Sequence, residues 1–138
     1  MNNALVRAQL VNNVFQRMTY QGAIMSRTSS SQLLVEGNDF ESVAHPLYND
    51  VEQPGTAFAL FDPVSAAANN MCMSVIGRPC VANRQQDSGD DYRPQDASAL
   101  QAFREYRQYL VVPVSAQEAK ARVPGEAGVG KASAGLLR

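Results

Sequence analysis

The sequence predicts an α+β domain with short strands, about three helices and an extended C-terminal arm; a mainly-β sandwich is the alternative. Three observations carry this. Residues 57–61 (AFALF) are an apolar run of strand length. Asp62 and Pro63 behind it supply an N-cap acceptor and a ring whose missing N–H costs nothing in a first helical turn. Val64, Ala67, Ala68, Met71 and Val75 then recur at three- and four-residue steps until Gly77 and Pro79 end the pattern. Further on, Ser115-Ala-Gln-Glu118 is a capping box, with Glu118 and Arg122 in the i,i+4 order that supports a helical turn.

Taken in order, the chain opens on a helix from Asn2 or Asn3 to about Met18. Leu5, Val6, Leu10, Val11, Val14, Phe15 and Met18 cover its apolar arc, with Gln9, Asn12, Asn13 and Gln16 opposite. Arg7 lies near the apolar arc and must snorkel. This reads as a first core helix rather than a docking helix. Residues 20–27 and 32–36 read as short strands about the polar turn 28–31. Residues 37–54 read as a long loop, because Pro46 and Pro54 extend the backbone before them.

After the strand–helix unit, residues 84–95 are polar and turn-rich. Asp96 caps a further helix with Leu100, Phe103, Tyr106 or Arg107, and Leu110 at helical steps. Residues 109–114 read as an edge strand because of Pro113. Pro124 is expected to stop the helix begun by the capping box. The globular domain is therefore placed at 1–122 and a Gly/Ala-rich arm at 123–138. No internal repeat is read.

Composition narrows the function. The 138 residues carry 12 Lys plus Arg against 13 Asp plus Glu, a formal net charge of −1. That excludes a generic nucleic-acid binder, which needs a basic surface. Residues 28–62 hold six carboxylates and neither Lys nor Arg, whereas the end of the chain is mildly basic. No apolar run has the ~18 residues of a membrane span, and no signal peptide is read at the N-terminus. Two cysteines, Cys72 and Cys80, give no disulfide framework, which points to a reducing compartment or a particle assembled there.

Candidate chemistry is weighed residue by residue. Residues 125–132 (GEAGVGKA) nearly match a phosphate-binding loop, but Ala132 has no hydroxyl for a metal and Pro124 stands where a strand should precede. Cys72 and Cys80 lack metal-ligand spacing, and His45 is the single histidine. Residues 87–91 (DSGDD) lack the ligand alternation of a calcium loop. Tyr106 and Tyr109 with Arg104 and Arg107 suggest base stacking, but read more simply as core aromatics with snorkelled arginines.

No catalytic, cofactor or metal residue is therefore assigned. The expected function is a non-enzymatic structural or assembly subunit, capsid-associated, decorating or head–tail in a virion; the alternative is a small adaptor that binds one protein. Its partners would be many protein copies, with no nucleic acid, membrane, small-molecule substrate or cofactor. The expected location is the virion or cytoplasm. The arm cannot bury a core alone, so its interface would use Leu136 and Leu137 as apolar anchors and Lys131 and Arg138 as charges.

Overall fold

A computed structural model describes residues 6–26, 31–49, 52, 54–89 and 92–126. Strands β1 (Val6–Val11), β3 (Ser31–Glu36) and β5 (Thr56–Ala59) form one three-stranded sheet. Strands β2 (Val14–Ser26), β4 (Asp39–Asn49) and β6 (Arg84–Gln86) form a second. All the strand pairs within these sheets are parallel. Each rung gives one strand to each sheet and the next rung stacks on it, which is the winding of a parallel β-helix.

The corners explain the winding. β1 and β3 end in register at Val11 and Glu36, and the next residues, Asn12 and Gly37, both take left-handed backbone (φ 55° and 64°). Asparagine and glycine are the residues that tolerate it. Gly37 is also needed for space, since a Cβ there would stand 2.7 Å from both Asn12 Nδ2 and the Val114 carbonyl oxygen. A second bend recurs at Arg17, Ser42 and Asp87 (φ 56°, 55° and 49°), so β2 and β4 turn partway along their length.

Behind the first corner stand Asn13, Asn38 and Asn83. Asn13 donates its backbone and side-chain N–H to Asn38 Oδ1 (2.8 and 3.0 Å), and Asn38 does the same to Asn83 Oδ1 (3.0 and 2.9 Å). Asn83 Nδ2 in turn donates to the carbonyls of Val35 and Leu60, both at 2.9 Å. Asn38 and Asn83 are fully buried, and this ladder satisfies backbone groups that the corners strip from the sheets. Phe15, Phe40 and Phe61 stack through the same rungs, with centroids 5.1 and 5.9 Å apart, and the Arg93 guanidinium lies 4.9 Å over Phe61.

β3 and β5 are buried on both faces, so their middles read as continuous apolar runs, whereas β1 turns Arg7 and Gln9 outwards. Leu33, Val35, Ala57 and Ala59 point between the sheets onto Phe40, Val43 and Leu47. Leu34, Phe58 and Leu60 point outwards beneath α1 (Ala66–Ile76) and α2 (Ala97–Gln101), with Phe103. Each buried Leu, Val or Phe among them contributes about 1.5–3 kcal/mol. The ladder spacing is 25 residues from Asn13 to Asn38 but 45 from Asn38 to Asn83, because α1 and its flanks leave the rung at the corner and return. Helix α1 is capped by Ser65 Oγ, which accepts from Ala68 N at 3.1 Å, and ends at Gly77 with φ 78°. The β5 edge is closed by an antiparallel segment: Ala59 N donates to the Pro94 carbonyl and Asp96 N to that of Ala57.

These features correct the α+β expectation: the architecture is dominated by two parallel sheets wound rung on rung, neither α+β nor the mainly-β sandwich held as the alternative. The expected first helix is β1 and β2. Of its apolar arc, Leu10, Phe15 and Met18 pack on the core between the sheets together with Ala8, while Val6 is exposed. The expected loop 37–54 contains β4, since Pro46 lies in a strand that tolerates it. Residues 109–114 form no strand. The helix after residue 62 starts at Ala66, and it buries Ala68, Cys72, Val75 and Ile76 while Met71 is 36% exposed.

Two further corrections concern charge and cysteine. Cys72 and Cys80 are joined in a disulfide with Cα atoms 5.6 Å apart. The acidic stretch is paired from outside itself: Glu36 with Arg78 and Asp39 with Arg84, each at 2.8 Å. Of the capping box at 115–118 the Ser115 half forms, with Glu118 N donating to Ser115 Oγ at 3.1 Å, while the Glu118 carboxylate pairs with Arg122 at 3.3 Å. The helix it starts, α3 (Ala116–Glu126), continues through Pro124 and packs on β2 and β4, where Lys120 meets Glu41 at 2.6 Å. Lys131, Leu136, Leu137 and Arg138 lie outside the described residues, as does most of the expected arm.

Candidate functional site

A cleft of about 480 Å³ opens between β1 and the segment after α2, lined by Arg7, Gln9, Phe103, Tyr106, Tyr109 and Leu110. The alternation of β1 puts Arg7 and Gln9 on the face opposite Ala8 and Leu10, away from the core. On the other wall, Phe103 is buried and anchors a 3₁₀ helix over Arg104–Tyr109. Residues three apart eclipse in such a helix, so Tyr106 and Tyr109 stand on one side. The two residues are 43% and 76% exposed.

The Arg7 guanidinium sits 5.3 Å from the centroid of the Tyr106 ring. The ring face holds the cation without neutralising it, so its N–H donors remain available. None of the six lining residues is a carboxylate or an imidazole. The cleft therefore offers one cation, two phenol rings on an exposed wall and an apolar floor. Such a surface suits a ligand with flat apolar faces and a carbonyl or carboxylate oxygen.

The far wall is fixed by side chains instead of a strand. Gln9 Nε2 donates to the Val111 carbonyl at 2.7 Å, and Val111 N donates to Gln9 Oε1 at 3.0 Å. Three residues on, Asn12 Nδ2 donates to the Val114 carbonyl at 2.8 Å and Val114 N to Asn12 Oδ1 at 3.0 Å. Each amide side chain thus replaces one residue of a β-ladder.

The other residues weighed from the sequence are scattered. His45 lies on β4 with its ring 6.4 Å from that of Tyr48. Ser88 ends a turn, its hydroxyl accepting from Val43 N at 3.0 Å. Among the described residues no group of three or more His, Cys, Asp or Glu is arranged to hold a metal ion, and no helix is long and apolar enough to cross a membrane. Tyr106 and Tyr109, expected in the core, line the cleft instead. Arg7 and Gln9 were placed on a helix; the spacing Asn13-x-Phe15 and Asn38-x-Phe40, 25 residues apart, is the signal that assigns them to a rung.

No protein-family profile matches the chain. Among known proteins it is similar to fungal proteins named as probable pectin lyases. It is 36% identical over 107 residues to probable pectin lyase F of Emericella nidulans, covering 77% of this chain and 21% of that protein. With probable pectin lyase F of Neosartorya fischeri the identity is 31% over 121 residues, 88% of this chain and 30% of the relative. With that of Aspergillus flavus it is 40% over 60 residues, 44% of this chain and 13% of the relative. The chain spans less than a third of the length of these relatives.

These similarities overturn the functional expectations. The relatives are named as enzymes that act on pectin, so the readings as a non-enzymatic virion assembly subunit or an adaptor do not stand. A polysaccharide replaces protein copies as the partner to be considered. The virion or cytoplasmic location, outside the secretory route, falls with them, and the Cys72–Cys80 disulfide removes the argument from reduced cysteines.

Proposed function

We propose that the chain is a pectin-binding β-helical part of a polysaccharide lyase and that a pectin strand lies in the cleft between Arg7 and Tyr109. The observation that carries this is the cleft itself, a guanidinium on one wall facing two exposed phenol rings on the other. Sugar rings present flat C–H faces, which pack on aromatic rings at small entropic cost. The uronyl oxygen, free or esterified, takes N–H bonds from Arg7, whose fork matches a carboxylate.

The same cation has a second use. A lyase on a uronyl polymer removes the proton beside the carbonyl, and negative charge then grows on the carbonyl oxygen. A fixed guanidinium stabilises that charge where it develops. Proton removal needs a base, and the six lining residues offer no carboxylate or imidazole. The reading therefore assigns binding and charge stabilisation to these residues and leaves proton removal unassigned. The disulfide suits an oxidising compartment, where a polymer of this kind is met.

The test is electrophoresis of the folded chain through gels containing pectin or a neutral glucan. Retardation by pectin alone, reduced in Arg7→Ala and Tyr109→Ala, is the expected result. Equal mobility in both gels would remove the proposal.

A further inference from the structure

We infer that Glu36 and Arg78 are positioning residues for the cleft, acting through Val111 on the wall that carries Tyr109; this rests on the reading of the cleft as the pectin site. Glu36 is at the end of β3 and only 1% exposed. Its carboxylate accepts from Arg78 Nη1 and Nη2 at 2.8 and 2.9 Å, from Val81 N at 3.0 Å and from Gln9 Nε2 at 3.2 Å. A buried carboxylate with four such donors is satisfied, and its bidentate partner is fixed in orientation.

Two of those partners go on to the same atom. Gln9 Nε2 and Arg78 Nη2 both donate to the Val111 carbonyl, at 2.7 and 3.3 Å. Val111 itself is 57% exposed and belongs to no helix or strand, so little apolar burial holds it in place. Glu36 is the point at which both clamps meet. Tyr109 and Leu110 precede Val111 directly, and both line the cleft.

Arg78 is presented to this network by the excursion between β5 and β6. It follows Gly77, which ends α1 in left-handed backbone, and lies between the two half-cystines of the Cys72–Cys80 bridge. The excursion thus has a task beyond covering the sheet: it brings a guanidinium to the buried carboxylate under the cleft wall. A binding surface whose aromatic side chain sits on an irregular segment needs such support, because loss of register by an ångström weakens contacts that depend on geometry.

The test combines amide exchange with pectin affinity in the full chain. Arg78→Lys keeps the charge but loses the fork, and Glu36→Gln keeps the shape but loses the charge. Both are expected to speed exchange of the Val111 amide and to weaken pectin binding about tenfold. Val43→Ala, in the core of the other sheet, is expected to lower the melting temperature while leaving exchange at Val111 and pectin affinity unchanged below the melt. Faster exchange with unchanged affinity, unchanged exchange, or equal loss of affinity in Val43→Ala would each overturn the positioning role. If the unmodified chain fails to bind pectin, the function reading falls and the positioning role with it, while exchange at Val111 still reports whether the latch exists.

Discussion

Asn38 donates twice to the side-chain oxygen of Asn83, from its backbone N–H at 3.0 Å and from Nδ2 at 2.9 Å. Both residues are fully buried, so this pair ties two rungs together where the sheets are interrupted. Asn38→Ala removes the acceptor used by Asn13 and leaves Asn83 Oδ1 without its donor from Nδ2. The expected loss is about 3 kcal/mol or more, since each stranded buried group costs about 1–3 kcal/mol. Urea unfolding measures it, and a loss under about 1 kcal/mol would mean that water replaces the ladder.

Gly37 and Gly77 separate backbone strain from crowding. Both have positive φ, 64° and 78°, but a Cβ at Gly77 meets nothing within 4 Å whereas one at Gly37 meets Asn12 and Val114. Gly77→Ala is expected to lose about 1–2 kcal/mol, the cost of left-handed backbone alone. Gly37→Ala should lose clearly more. Equal losses in thermal unfolding would show that the corner relaxes freely.

On α1, Met71 and Cys72 are adjacent and opposite in environment. Met71 is 36% exposed, while Cys72 is fully buried and bonded to Cys80. Cys72→Ala is expected to cost about 2–4 kcal/mol, the usual contribution of a native bridge. Met71→Ala should stay within about 1 kcal/mol. The reverse order would place the apolar face of α1 on the wrong side.

The Glu41 carboxyl is held below its ordinary 4.5, first by the hydrogen bond from Lys120 and then by the lysine charge. A lowered carboxyl stabilises the fold above its unfolded pKa and loses that contribution as pH falls through the folded value. Lys120→Met should therefore melt below the unmodified chain at neutral pH, with the difference closing in acid. A difference that is constant with pH would show that the pair contributes only packing.

Much of the chain's local grammar was legible. The strand within 57–61, which forms as Thr56–Ala59, the left-handed cap at Gly77 and the N-cap at Ser115 follow from residue chemistry that acts over a few positions. The winding was not, because its signals lie 25 residues apart. In β1 and β2 the inward Leu10, Phe15 and Met18 fall at spacings that also fit a helical arc, which gives the wrong period. The α1 excursion stretches the next interval to 45 residues, which hides Asn83 from a search at a fixed period. The cleft was hidden for the same reason: Arg7 and Tyr106 meet only once β1 is a strand.

The boundary expected at residue 122 carries a proposal of its own. The sequence of residues 127–138 (AGVGKASAGLLR) offers few large apolar side chains to offset the backbone entropy that ordering it would cost. Their deletion is expected to leave the melting temperature unchanged, by calorimetry. A lowered value would make them part of the folded unit.

The central claim is that the cleft beside Arg7 takes a pectin strand. An NMR titration of the isotope-labelled chain with pectin oligosaccharides tests it most directly. The predicted result is saturable shifts of Arg7, Gln9, Tyr106 and Tyr109, with the ladder residues Asn13, Asn38 and Asn83 unmoved. Saturable shifts elsewhere, with these four cleft residues silent, would contradict it.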